Sequence, residues 1–274
     1  MTDDDMRHAP GRLSHDRYCD EIIAQTDLLR SHLTGADLGM AVPTCPDWTL
    51  RDLAAHVGGA HRWVETIVRT RATERVSLRE ILSAVEPVRD GDPAALDAWL
   101  AEGARLLVDV LREAGPGLAC WSWGWESHSG FWARRMTHET LIHRADAALT
   151  VGAAYEAAPE VAADALDEWL RIVRFFQDAG IKEDIAQLKA GGRTLHLHAT
   201  DTAPEIAAEW LIELGDDGIA WSRAHEKADA ALRGPLTDVL LTLLRREPLT
   251  DGGRVEVLGD RELIDFWLER SAFA

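Results

Sequence analysis

Residues 131–146 read FWARRMTHETLIHRAD, more polar chemistry than a core helix needs. On an α-helix, residues four apart lie nearly above one another. Glu139 and His143 are therefore neighbours, with Arg135 one turn before them and Asp146 about one turn after. The run HETLIH invites comparison with the HExxH motif of zinc proteases, in which two histidines at i and i+4 share one face. The spacing does not fit, because His138 and His143 stand about 140° apart at roughly 100° per residue. One ion cannot readily take both. Glu139 and His143 do converge, and a carboxylate oxygen with an imidazole nitrogen makes two of the three protein ligands of an open catalytic zinc site. The third has to come from elsewhere. The competing reading is a solvated helix face carrying a weak i,i+4 pair.

Outward from this stretch, the spacing predicts a helix over 129–150, stopped near Gly152. The segment before it, CWSWGWESHSG, reads as a loop by its glycines and serines. Trp121, Trp123, Trp125 and Trp132 crowd there out of eleven tryptophans in the chain. Large aromatics need partners to bury against, so this segment is expected to wall something.

Residues 42–63 read VPTCPDWTLRDLAAHVGGAHRW. Two prolines hold 42–47 extended, and Thr49 with Asp52 three residues on can cap a helix. The apolar stripe of that helix is Leu53, Val57, Ala60, Val64 and Ile67. His56 sits beside the stripe and can look into a bundle from the edge of its core. Read alone, such a histidine fits a satisfied core or surface role as well. Gly58 and Gly59 each cost about 1 kcal/mol relative to Ala in a helix, which points to close packing or a nearby ligand. His61 points elsewhere, as a surface or supporting residue.

Residues 1–12 read as a frayed tail, followed by a helix from Ser14 to about Leu33. Ser77 and Glu80 form a capping-box pattern, Asp92 and Pro93 open a longer helix that Gly115 and Pro116 end, and a fifth helix runs from Pro159 to Gly180. After Gly191 and Gly192 the period changes to alternation. Strands are predicted at 194–199, 208–214, 218–223, 228–232 and 254–258, with a helix after Pro235 and a closing helix from Asp260. Helices first and strands later give an α+β fold class in two domains. The boundary is expected between 180 and 192, giving a helical domain over 13–182 and a smaller α/β domain over 190–274. His196 and His198 share a strand face. Without a nearby carboxylate or cysteine in the sequence they read as strand-surface residues.

Composition narrows the function classes. Lys plus Arg against Asp plus Glu is 29 − 47 = −18 over 274 residues. That balance repels phosphate backbones and argues against a nucleic-acid partner. No apolar run approaches a membrane span and no basic-then-apolar start marks a secretory signal, so no membrane partner and a cytoplasmic location are expected. Three scattered cysteines, Cys19, Cys45 and Cys120, fit a reduced compartment better than a disulfide framework.

The stretches 42–63 and 131–146, with the later ADAALRGPLTDVLLTLLRR and VEVLGD, resemble the mycothiol-dependent maleylpyruvate isomerase family. The first two are specific together and the C-terminal likeness is looser. The resemblance implies an N-terminal DinB-like four-helix bundle followed by a sterol-carrier-protein-like α/β domain. It implies a divalent metal, usually zinc, on His56, Glu139 and His143, with mycothiol as thiol cosubstrate and a small electrophile as substrate. No further cofactor is implied. A thiol at an open metal position is deprotonated by the cation. Its thiolate would add to a carbon–carbon double bond for cis–trans isomerisation, or form a released adduct in a thiol S-transferase. A non-catalytic, metal-stabilised ligand-binding bundle is the remaining alternative. A cation for an anionic substrate or enolate is sought among Arg134, Arg135, Arg245 and Arg246. The resemblance implies an arginine of the C-terminal domain, where Arg233, Arg245, Arg246 and Arg254 stay open; Arg245 and Arg246 are the catalytic candidates. Asp146 is read as holding His143 or Arg144, and Cys45 as a bystander.

Overall fold

The computed structural model describes residues 11–79 and 92–271. Most of the expected tail and Glu80 of the capping-box pattern lie outside them. The described residues form two compact units, Ser14–Tyr155 and a second made of those from Glu156 onward together with residues 11–13.

The first unit has four helices among the described residues: α1 (His15–Leu33), α2 (Leu50–Arg69), α3 (Pro93–Ala114) and α4 (Ser129–Val151). Each of α1 and α2 packs on both α3 and α4, closing a four-membered bundle. Local chemistry sets the boundaries. The Ser14 hydroxyl accepts from the Arg17 backbone N–H, and Gly152 ends α4 at φ +68°, a left-handed conformation that costs glycine little. A hairpin of β1 (Ala41–Val42) and β2 (Cys45–Thr49) feeds α2. There Thr49 and Asp52 make a reciprocal capping box, worth about 1 kcal/mol.

The predicted stripe of α2 is buried: Leu53, Val57, Val64 and Ile67 are fully shielded, each contributing roughly 1.5–3 kcal/mol by leaving water. Gly58 is explained by packing, since a Cβ there would stand 2.0 Å from the Trp99 ring of α3. Only a bare backbone lets that indole approach.

Helix α4 is buried nearly all round although much of it is polar. Burial of polar groups demands partners, and they are present. The Thr137 hydroxyl reaches the carbonyls of Tyr18 (3.0 Å) and Ala133 (2.9 Å), and the Thr150 hydroxyl donates to the Asp146 carbonyl at 2.7 Å. The Arg144 guanidinium lies 4.1 Å over the Tyr155 ring. His138, excluded as a ligand by spacing, is buried with its ring edge-on to Tyr18 at 6.2 Å.

The second unit contains α5 (Pro159–Ala179), a single-turn α6 (Glu183–Ala186) and a five-stranded sheet. Its strands are β3 (Arg193–Ala199), β4 (Glu209–Gly215), β5 (Gly218–Ser222), β6 (Ala230–Gly234) and β7 (Glu256–Gly259), in the order β5-β4-β3-β6-β7. Only the β3–β6 pair is parallel. Helices α7 (Leu236–Leu243) and α8 (Arg261–Arg270) complete it. Helix α5 packs on α7 and β5, so it groups with the sheet although the change of hydrophobic period comes after it. A helical stripe specifies a buried face and leaves open which neighbour covers it. No helix among the described residues is long and apolar enough to cross a membrane.

Candidate metal centre

Helices α2 and α4 bring His56, Glu139 and His143 together, one ligand atom of each lying within 4.8 Å of the others. Glu139 Oε1 is 3.0 Å from His56 Nε2 and 3.3 Å from His143 Nε2. Two donors one turn apart on α4 thus meet a third from the facing helix.

Supporting contacts hold two of the three candidate ligands. Nδ1 of His143 pairs with Asp146 Oδ2 at 2.8 Å. With its proton on that nitrogen, a neutral His143 turns the Nε2 lone pair to Glu139 and His56. Asp146 is fully buried, and its other oxygen accepts from the Thr44 hydroxyl at 2.6 Å. Glu139 gives its second oxygen to Arg135 at 2.9 Å. The Arg135 guanidinium thus holds the carboxylate of a candidate ligand.

The electrostatics follow from these partners. Burial opposes charge on His143, but the Asp146 and Glu139 carboxylates outweigh it and raise the imidazole to about 9. Burial likewise opposes charge on Glu139, yet His143, His56 and Arg135 hold its carboxyl well below the usual range. The centre therefore favours a cation among its three donors, and in metal-free protein a proton on His143 serves. Exposure is uneven: the His143 side chain keeps 9% of its surface, Glu139 23% and His56 32%, so the centre is reached from the His56 side.

The donors fit a divalent ion. Ligand atoms about 2.0–2.1 Å from a tetrahedral zinc stand roughly 3.3–3.4 Å apart, close to the 3.0 and 3.3 Å separations from Glu139 Oε1. Three such ligands would leave a position for a further molecule. No protein thiol with a lowered pKa competes for it among the two buried cysteines: burial pushes Cys19 and Cys120 up to about 11.

Several features were not foreseen. Trp48, on β2, lies against both imidazoles, with ring centroids 4.7 Å from His56 and 6.0 Å from His143. Its place just before the capping Thr49 was the available signal. His61 is not a surface residue: it is fully buried, and its Nε2 meets the Thr140 hydroxyl at 2.8 Å. Burial and the Arg62 charge take it down to about 3, so it stays neutral. The tryptophan loop builds its own cluster, in which Trp132 lies 5.2 Å from Trp63 and donates Nε1–H to the Trp121 carbonyl at 2.8 Å. Arg245 and Arg246 belong to the second unit, in the turn after α7, where Arg245 is exposed at φ +58°. Arg233 and Arg254 there pair with Glu256 and Asp238.

Comparison with known proteins agrees with this architecture. Residues 19–148 match the mycothiol maleylpyruvate isomerase N-terminal domain, and residues 160–266 match the MDMPI C-terminal domain. No curated protein sequence matches the chain. The crystal structure of the mycothiol-dependent maleylpyruvate isomerase superposes with a TM-score of 0.55 at 13% identity, covering 89% of this chain and 93% of that one. A histidine-to-alanine mutant of that isomerase gives 0.53 at 13% identity over 86% and 90%. At this identity the likeness speaks for the fold, and the two domain matches, which together span most of the sequence, speak for ancestry. The chain belongs to the mycothiol-dependent maleylpyruvate isomerase family.

Proposed function

We propose that this protein is a metal- and mycothiol-dependent enzyme that isomerises a small electrophilic substrate of the maleylpyruvate type about a carbon–carbon double bond. The observation that carries the reading is the convergence of His56 Nε2, Glu139 Oε1 and His143 Nε2 within a bundle of this family. His56, Glu139 and His143 would hold the ion. A divalent ion there supplies the positive charge that turns an incoming thiol into a thiolate near neutral pH.

The chain's own residues do the rest by position. Asp146 keeps the proton of His143 on Nδ1, so Nε2 stays a donor to the centre. Arg135 orients the Glu139 carboxylate, which His143 and His56 help to keep ionised. Trp48 lies against the imidazoles and restricts water beside them. In the reaction, the mycothiol thiolate adds to one carbon of the conjugated double bond and the electron pair moves to the adjoining carbonyl as an enolate. Rotation about the new single bond and expulsion of the thiolate re-form the double bond as trans. Arg245 and Arg246 are proposed to stabilise the anionic substrate or enolate; their replacement by Ala should then raise KM or lower kcat while metal content holds.

The test is incubation of zinc-loaded protein with mycothiol and maleylpyruvate, followed by chromatography and mass spectrometry. Trans product with mycothiol recovered is the expected result. A stable mycothiol adduct would replace isomerisation with S-transfer, and no thiol binding or turnover over a panel of electrophiles would overturn the enzymatic reading.

A further inference from the structure

The second unit carries a cluster that the isomerase reading does not use. His196 and His198 lie two apart on β3 and share a face. Across the ladder, Glu209 of β4 stands opposite His198. The segment after β5 returns alongside β4, where the Ala224 backbone N–H donates to the Glu209 carbonyl at 3.2 Å, and delivers His225 to the same place. The carboxylate that the sequence did not offer His196 and His198 thus arrives through strand register.

All three imidazoles crowd one oxygen. Glu209 Oε2 is 2.9 Å from His196 Nε2, 2.9 Å from His198 Nδ1 and 2.5 Å from His225 Nδ1. A carboxylate oxygen has two lone pairs, so three ring nitrogens cannot all be served by it. The consequence is visible at His196, which is only 7% exposed and whose Nε2, despite its closeness, makes no hydrogen bond. The rings meet edge-on, with centroids 5.5–5.6 Å apart.

We propose that His196, His198, Glu209 and His225 form a second divalent-metal site that takes a first-row transition ion such as zinc. One ligand atom of each residue already lies within 4.8 Å of the others. Three imidazoles and a carboxylate suit zinc, with copper and nickel as competitors. Four protein ligands complete a tetrahedral shell, the pattern of a structural centre. Such an ion joins β3, β4 and the segment after β5. His225, with 75% of its side chain exposed, is the ligand through which the ion enters and leaves.

The test uses full-length protein without a polyhistidine tag, stripped with chelator and titrated with zinc chloride. Two equivalents should bind to the parent protein. His56→Ala/Glu139→Ala should retain one of them, and cobalt(II) added to that variant should show the visible d–d bands of a tetrahedral ion. His198→Ala/His225→Ala should lose this equivalent and keep the bundle's. Because strand substitutions can disturb folding, His225→Gln at the exposed position serves as the second probe. Its affinity loss should exceed the roughly 10–100-fold that removal of a merely supporting residue causes. Absence of zinc binding once the bundle centre is disabled would overturn the proposal, as would unchanged binding in both His225 variants.

Discussion

The two histidine–carboxylate clusters of this molecule place similar donors on different scaffolds. In the bundle, the proposed ligands come from two long helices, and the two on α4 each have a supporting contact: Asp146 for His143 and Arg135 for Glu139. On the sheet, three histidines converge on one carboxylate oxygen, and the most exposed of them sits on a segment outside any strand. Three oriented donors leave a coordination position for chemistry, whereas four use every position for holding. Ligand number and outer support, more than ligand type, separate a centre that reacts from one that fastens.

This contrast can be broken in steps. Glu139→Ala removes a ligand and should abolish metal from the bundle, with activity falling about 1000-fold, as expected for loss of several kcal/mol of charge stabilisation. Elemental analysis beside steady-state rates checks it, and full activity in metal-free variant would remove the contrast altogether. Asp146→Asn leaves all three proposed ligands in place but weakens the orientation of His143. We expect a 10–100-fold drop in metal affinity, measured by competition with a chromophoric chelator.

Acidity supplies a third step. His143 sits at about 9 without metal, so below that pH an entering ion displaces its proton. Affinity of the bundle centre should rise with pH, about tenfold per unit, and level off above the imidazole's own value. Calorimetry at neutral pH in two buffers of different ionisation enthalpy should show one proton released per ion; none released would mean His143 is not a ligand. Smallest is Gly58→Ala. Its methyl meets the Trp99 ring at 2.0 Å, an overpacking of about 1–3 kcal/mol partly offset by about 1 kcal/mol of helix propensity. A net loss of about 1 kcal/mol in chemical denaturation is expected, and a gain would show that α2 and α3 are looser than the centre requires.

End signals and periodicity located α1 to α5, from Ser14 to Gly180, although α4 is buried nearly all round and has no single apolar stripe, and the change to alternation located the strands of the five-stranded sheet. What a stripe packs against was not legible. His56 and Glu139 are 83 residues apart, and nothing local to either announces that α2 faces α4; helix faces made them candidates for one bundle site, and the family resemblance favoured the set. Helix α5 shows the same limit, being evident as a helix while its neighbours were not. The sheet cluster escaped for a related reason. His196 and His198 were plain, but Glu209 becomes their partner through the β3–β4 register, and His225 through the path after β5. His61 was misplaced because one position off a stripe decides between solvent and core, and a hydroxyl on α4 made burial affordable.

Asp146 binds the Thr44 hydroxyl with one oxygen and His143 with the other. Thr44 lies between β1 and β2, in a hairpin that contributes none of the three ligands. A carboxylate shared in this way is a weaker base toward the imidazole than one left to itself, so the hairpin would set how much electron density His143 gives an ion held there. Thr44→Val would make His143 a stronger donor and the ion a milder acid. The thiol's ionisation would then shift toward higher pH with every ligand unchanged.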